Sequence, residues 1–259
     1  MYSRLKVKGT SKNMKVRMDS ITVVLNEPRY PENIGAAARC CCNMGVPRLV
    51  VVRPYRLDQE KMLKMATHEA AHLIENMKVF DSLEDAVAKL NYLVGTTART
   101  GRRRRPTDSP REIARRLAPL SQNNKIGLVF GSEKWGLTNK QLRLCHAIVT
   151  IPTAQFASIN LAQSVMIICY ELFMADAPDG LIQPKLANSR ELEGMYEHLK
   201  QAFQAIGFIN QENPDYWLEN VRRLFSRLEL RSKEVKLIRG FCRQVLWAVE
   251  RKSVSSQSD

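Results

Sequence analysis

Apolar positions along this chain fall into two alternating patterns. Short runs over Ile21–Leu25, Arg48–Val52, Tyr92–Val94, Ile126–Phe130 and Ala147–Ile151 place Val, Ile and Leu on neighbouring positions, as strands buried on both faces do. Between them, the stretches Asn33–Met44, Glu60–Asn76, Leu83–Lys89, Pro110–Leu117, Asn139–Cys145 and Asn160–Met174 read as helices. Gly45 stops the first of these, and Pro110 opens the fourth in its first turn. Strands alternating with helices predict an α/β fold, a parallel sheet with helices on both faces.

After residue 176 the pattern changes. Ala177-Pro178-Asp179-Gly180 and Pro184 mark a linker over residues 177–188. Beyond it Leu192, Met195, Tyr196, Leu199, Phe203 and Ile206 form one amphipathic stripe that Gly207 can cap. Arg222–Leu228 and Glu234–Val249 predict two more helices. The expected organisation is a disordered basic tail over 1–19, an α/β domain over 20–176, the linker, a small all-helical domain over 189–252 and a disordered Ser-rich tail over 253–259.

Charge narrows the partners. The chain has 259 residues, of which 44% are apolar, enough for a sizeable core. Its 40 Lys and Arg against 26 Asp and Glu leave a net charge of +14, which favours a polyanionic partner, either nucleic acid or an anionic membrane surface. No apolar run approaches the roughly 20 residues of a membrane span, and the basic N-terminus lacks the apolar core of a signal peptide. The expectation is a cytoplasmic protein with no membrane partner. Six cysteines occur without a CxxC pair, and they read as reduced, small apolar residues on buried faces.

The candidate chemistry begins with a rival. His68-Glu69-Ala70-Ala71-His72 has the spacing that puts two imidazoles on one helix face around zinc, with a glutamate as base. Catalytic zinc needs a third ligand, and the remaining histidines, His146 and His198, stand in no supporting motif. A zinc peptidase is therefore a remote alternative, and no metal requirement is expected. The chain also lacks the glycine fingerprints of nucleotide and dinucleotide loops. Its glycines stand singly where strands end, at Gly95, Gly131 and Gly136, with Ser158 and Asn160 at a further junction. Each glycine alone would suit a tight turn, but ligands bind beyond the carboxyl ends of strands in open α/β sheets, and several such junctions together suggest a site.

Three separated segments carry a family resemblance. Pro31-Glu32-Asn33-Ile34-Gly35-Ala36-Ala37-Ala38-Arg39, Gly131-Ser132-Glu133-Lys134-Trp135-Gly136-Leu137 and Ile151-Pro152 running to Ser158-Ile159-Asn160 resemble, in order and spacing, the motifs of the SpoU/TrmH RNA 2′-O-ribose methyltransferases. Gly95-Thr96-Thr97-Ala98-Arg99 and the C-terminal pieces Tyr196-Glu197-His198-Leu199, Gly207-Phe208-Ile209 and Arg222-Arg223-Leu224-Phe225 resemble the TrmJ branch of that family. The resemblance covers residues 21–250. It implies the SPOUT fold, whose C-terminal segment threads a trefoil knot, here over Ile151 to Met174, followed by a helical extension. It also implies S-adenosylmethionine as methyl donor, held by Thr96, Thr97, Ala98, Gly131, Gly136, Ile151, Ser158, Ile159 and Asn160, and a homodimer whose active site is completed across the interface.

The same resemblance puts Arg39 beside the target ribose, with Asn33, Ser158 and Asn160 as its catalytic companions. A guanidinium rarely gives up its proton, so the role that fits Arg39 is to clamp a phosphate and favour a developing oxyanion. Asn33 either fixes its loop or the RNA or caps a helix, and Glu133 either orders its loop or pairs with Arg39. Arg99, Arg102, Arg103, Arg104 and Arg105 crowd one loop, where phosphates would relieve their mutual repulsion, so they join Arg39 as candidate RNA-binding residues. Trp135 could stack on a ring or pack internally. The expected function is S-adenosylmethionine-dependent 2′-O-methylation of RNA, with tRNA at anticodon-loop nucleotide 32 as the favoured substrate. Ribosomal RNA methylation and RNA binding without catalysis on the same fold are the alternatives.

Overall fold

A computed structural model describes residues 14–99, 107–177, 183–209, 214–225 and 228–255. Six parallel strands form the main sheet: β2 (Ile21–Asn26), β3 (Leu49–Val52), β4 (Lys78–Phe80), β5 (Tyr92–Thr96), β6 (Ile126–Phe130) and β7 (Ala147–Val149), in the order β4-β3-β2-β6-β5-β7. The all-apolar runs take the centre because every residue of β2, β3 and β6 is buried. Register sets Val24 opposite both Val50 and Val129, and Leu25 opposite Phe130. Strand β4 is absent from the apolar pattern. It is a three-residue edge strand with Lys78 and Val79 exposed, so it lacks the signature of a buried run.

Alternate side chains of β2 feed two cores. Ile21, Val23 and Leu25 pack with α1 (Pro31–Asn43), α2 (Gln59–Glu75), α4 (Pro110–Leu120) and α6 (Leu161–Met174). Val24 and Val129 pack on the other face with α3 (Leu83–Val87) and α5 (Asn139–Arg143). Local signals agree with these elements. Pro31 and Pro110 stand at the first helical positions, Ser109 and Glu112 form a reciprocal capping box on α4, and Gly45 turns the chain after α1 at φ 71°. Gly35 has a packing cause: a Cβ there would lie 2.0 Å from the Met62 carbonyl oxygen, so only glycine lets α1 and α2 approach this closely. Among the described residues no helix is long and apolar enough to cross a membrane.

Residues 14–19 depart from the free tail expected. Strand β1 (Met14–Lys15) pairs antiparallel with β8 (Asp176–Ala177), directly after α6. The Arg17 amide donates to Ser121 Oγ at 2.9 Å, and Gln122 Nε2 donates to the Lys15 carbonyl at 2.9 Å. The segment staples the exit of α6 to the end of α4.

The C-terminal helices α7 (Ser189–Ala205), α8 (Pro214–Phe225) and α9 (Ser232–Ser255) share a third core around Met195, Tyr196, Leu199, Val235 and Cys242. They are tied to the sheet through two buried asparagines. Asn91 Nδ2 donates to the Leu186 carbonyl and Asn124 Oδ1 accepts from the Leu186 amide, both at 2.8 Å. Asn91 precedes β5 and Asn124 precedes β6, so the extension is anchored at the amino edge of the sheet.

Helix α2 is broken at Thr67, whose φ of 64° and ψ of 171° leave the helical region for one that suits glycine. The apolar pattern continues across this point, with Met62, Ala66, Ala70, Leu73 and Ile74 all buried, so the break leaves no mark on periodicity. Thr67→Gly is expected to stabilise the protein by about 1 kcal/mol, relief of strain outweighing the added chain entropy of glycine. Thermal unfolding should then rise by about 2–4 °C. A midpoint at or below that of the parent would mean Thr67 carries no strain.

Candidate active site

The loops that follow β5, β6 and β7 meet at the carboxyl edge of the sheet, where β6 lies between β2 and β5. They enclose a cleft of about 330 Å³, within the range of small-molecule sites. Its apolar lining comes from Phe130, Val149, Ile151, Ile159 and Leu161. Thr96, Thr97, Ala98, Gly131, Gly136 and Ser158 supply small side chains and close backbone. A recess shared by Asn33, Glu133, Ser158, Ile159 and Asn160 adjoins it.

The glycines serve different ends. At Gly131 a Cβ would fall 2.1 Å from the Gly136 carbonyl carbon, because the loop doubles back on the end of β6. Gly136 has open space around it, but its φ is 63°, which makes the turn itself the requirement. Gly95 differs from the sequence expectation. It lies inside β5, and a Cβ there would sit 2.8 Å from Cys145 Sγ, so its absence of side chain serves packing beneath the cleft.

One polar chain ties the three motif segments together. Glu133 Oε2 accepts from the Arg29 amide at 2.9 Å, and its Oε1 accepts from Asn33 Nδ2 at 2.7 Å. Asn33 Oδ1 in turn accepts from Asn160 Nδ2 at 2.9 Å. Asn160 Oδ1 caps α6 by accepting from the amides of Ala162 and Gln163 at 2.9 and 3.3 Å. Asn33 is therefore not a helix cap. The cap position of α1 is Tyr30, which makes no side-chain cap bond, and Asn33 sits in the first turn as a bridge. Within this chain the Glu133 carboxylate takes these neutral donors, and no bond joins it to Arg39. Asn160 stands in the recess with both ends of its amide engaged, outside the cleft lining.

The loop over 132–137 is braced from several sides. The Gly136 amide donates to the Ser132 carbonyl at 2.8 Å and the Trp135 amide to Ser132 Oγ at 3.3 Å. Arg99 donates from one guanidinium nitrogen to the carbonyls of Trp135 and Leu137, at 3.0 and 2.8 Å. Arg99 thus supports the rim, a role the sequence did not indicate for it. Arg102, Arg103, Arg104 and Arg105 lie outside the described residues.

Arg39 is exposed and lines neither the cleft nor the recess of its own chain, and no hydrogen bond or ion pair engages it among the described residues. It shares a face of α1 with Glu32, Ala36 and Asn43, while α6 alongside presents Met166, Ile167, Tyr170, Phe173 and Met174 at least partly exposed. Behind Arg39, burial raises the thiols of Cys40, Cys41 and Cys169, the last to about 12. They are protonated near neutral pH and supply no counter-charge. Five of the cysteines are buried and Cys42 is partly so, all without disulfides.

The zinc reading finds no support in this geometry. His68 is fully exposed, and His72 Nδ1 lies 3.0 Å from the Glu69 carbonyl oxygen. Among the described residues no three His, Cys, Asp or Glu side chains are grouped to hold a metal.

A parallel sheet with its ligand cleft at the carboxyl edge, built from motif loops clamped by Glu133, Asn33 and Asn160, defines an α/β enzyme core with a helical appendage. Residues 20–170 match the SpoU rRNA Methylase family, and residues 190–257 match the C-terminal domain of the tRNA methyltransferase TrmJ. The chain belongs to the SpoU methylase family, with the extension of its TrmJ members. It is 35% identical over 238 residues to tRNA (cytidine/uridine/adenosine-2′-O-)-methyltransferase TrmJ of Pseudomonas aeruginosa, covering 86% of this chain and 92% of that protein. A tRNA (cytidine/uridine-2′-O-)-methyltransferase TrmJ of Escherichia coli is 31% identical over 257 residues, 93% of this chain and all of the relative. The crystal structure of TrmJ from Zymomonas mobilis superposes with a TM-score of 0.76 at 28% identity, covering 86% of this chain and 98% of that one.

The clamp can be weighed directly. Glu133→Ala and Asn33→Ala are each expected to lower unfolding free energy by about 1–2 kcal/mol, since each leaves partners without a bond. The double variant should lose clearly less than the sum of the two. Strict additivity in urea titrations would mean the shared bond contributes nothing.

Proposed function

We propose that this chain transfers a methyl group from S-adenosylmethionine to a ribose 2′-hydroxyl of tRNA, at nucleotide 32 of the anticodon loop. The observation that carries this reading is the joining of the three motif segments, through Glu133, Asn33 and Asn160, around one cleft at the carboxyl edge. Relatives named as tRNA 2′-O-methyltransferases that match over most of their length support the activity, and the match of residues 190–257 to a tRNA methyltransferase domain favours tRNA over ribosomal RNA. Such a substrate goes with a cytoplasmic place of action.

The cleft residues fit the donor. Ile151, Ile159, Val149 and Leu161 offer an apolar slot for adenine, and the backbone of Thr96 to Ala98 and Gly131 offers donors and acceptors at its edge. Among the described residues, the two cations lining the cleft are directed elsewhere, Arg99 to the carbonyls of its neighbouring loop and Lys134 to 4.6 Å over the Trp135 ring. A positively charged sulfonium therefore meets apolar and polar walls together with the Glu133 carboxylate, which suits its charge. When bound, S-adenosylmethionine supplies a methyl carbon electrophilic enough for direct attack by a ribose oxygen. The chain's task is to hold that oxygen in line and to ease loss of its proton. Asn33 and Asn160 act by fixing the loops, and exposed Ser158 faces the recess where the ribose would enter. Arg39 clamps the adjoining phosphate and stabilises the developing oxyanion, while a phosphate oxygen or water takes the proton.

Arg39 lies outside its own cleft, which supports the reading that it serves the cleft of a second subunit. The apolar stripe of α6, next to the face of α1 that carries Arg39, is the surface that pairs in a homodimer. Wild-type protein should incorporate labelled methyl into tRNA, with ribose methylation mapping to nucleotide 32. Arg39→Ala should lower incorporation about 100-fold or more while binding S-adenosylhomocysteine nearly as wild type. No incorporation by wild type into any RNA would leave an RNA-binding protein only.

The shared site has its own test. Gly131→Ala collides with the backbone of Gly136 and Leu137, displaces the loop that walls the cleft and is expected to be inactive. Mixing it with Arg39→Ala under subunit exchange should restore about a quarter of wild-type activity, because half of the dimers are mixed and each then holds one intact site. No recovery after proven exchange would place Arg39 with its own cleft.

A further inference from the structure

Trp135 stands at the mouth of the cleft with 68% of its surface exposed, although its backbone is among the most constrained at the site. Its amide is bonded to Ser132 Oγ, its carbonyl accepts from Arg99, and the next residue is fixed in the left-handed region at Gly136. A bulky ring mounted on a rigid turn and left in water is not explained by packing, because the apolar clusters beneath the cleft close without it. Trp135 lines the same cleft as Ile151 and Ile159, but Phe130 and Val149 are buried while the indole stays largely in water, so the ring offers more surface than a donor in that slot would cover. The ammonium of Lys134 sits 4.6 Å from the ring centroid. An indole has two faces, so one remains for a second flat group, and the neighbouring cation suits a phosphate.

We propose that Trp135 is a positioning residue that stacks on a nucleobase of the RNA substrate at the cleft mouth, with Lys134 on the adjoining phosphate. Stacking on a pre-set ring fixes the plane of the base and thereby the direction of the attached ribose, whose 2′-oxygen must meet the methyl carbon in line. Recognition of this kind tolerates different bases, because each has a π-face. The inference rests on the methyltransferase reading above and specifies how the RNA is held at that site.

The test separates the inference from that reading. With wild-type protein, S-adenosylmethionine and an anticodon stem-loop RNA, methylation establishes the reading itself. Trp135→Ala is then expected to weaken RNA binding about 5- to 150-fold, the range of a lost base–aromatic stack. Trp135→Tyr should recover most of that loss, and S-adenosylhomocysteine affinity, dimer mass and melting temperature should stay at wild-type values. RNA should also quench indole emission in wild type by an increment that Trp135→Phe lacks. Active wild type with unchanged RNA affinity in Trp135→Ala would overturn the stacking role. So would a loss of S-adenosylhomocysteine binding, which would make the ring a lid on the donor, or a loss of the dimer, which would make it an interface residue.

Discussion

One carboxylate and two amides hold the carboxyl end of this sheet together. Glu133 belongs to the loop after β6, Asn33 to the first turn of α1, and Asn160 to the start of α6. These segments are far apart in sequence, and without the bonds between them the loops would share only a sheet edge. Each link is neutral or singly charged and partly open to water, so its worth lies in geometry more than in stabilisation. The arrangement also explains why Glu133 is not simply a counter-ion. Both of its oxygens are occupied by donors of the same chain, which orients the turn that carries Lys134 and Trp135. The constraint runs outward from there, through Arg99 to the backbone of that turn and through the Asn160 cap to the long helix behind the cleft.

The separation of Arg39 from this clamp is the other half of the design. An exposed guanidinium over neutral, buried thiols has nothing among the described residues to neutralise it. It lies on a face continuous with the apolar stripe of α6, so the surface that would pair two subunits is also the one that delivers the charge. On the proposed dimer, such a division would make catalysis conditional on assembly. Under that proposal, an isolated chain would hold the cleft and lack the guanidinium beside it.

Much of the fold was legible because its strands are buried on both faces. Ile21–Asn26 and Ile126–Phe130 announce themselves as continuous apolar runs, and Pro31, Pro110 and Gly45 punctuate the helices as their chemistry requires. The features that escaped have physical reasons. Edge strand β4 is short and half polar, and the break at Thr67 preserves the helical spacing of buried residues on either side. Residues 14–19 looked like solvated tail because most of their ordering comes from backbone bonds to β8 and Ser121, and only Val16 and Met18 pack on the core, too few to mark an element. At the site, the lining residues Thr96 to Ala98, Gly131, Ile151 and Ser158 were readable from motif and position. The partners of Asn33 and Asn160 were not, since a hydrogen bond between residues 127 apart has no local signature. Gly95 misled for a related reason, because a glycine required by a cysteine beneath it looks the same in sequence as one required by a ligand above it.

The two asparagines that anchor the extension give the molecule a sense of distance. Asn91 and Asn124 fasten the C-terminal helices to the amino edge of the sheet, whereas the cleft opens at the opposite edge. The five-residue strand β5 separates those edges by about 16 Å. An RNA that engages both surfaces of one subunit at once must reach across that height. The sheet would then act as a ruler, favouring substrates by the span between two of their features and leaving the bases between largely unread.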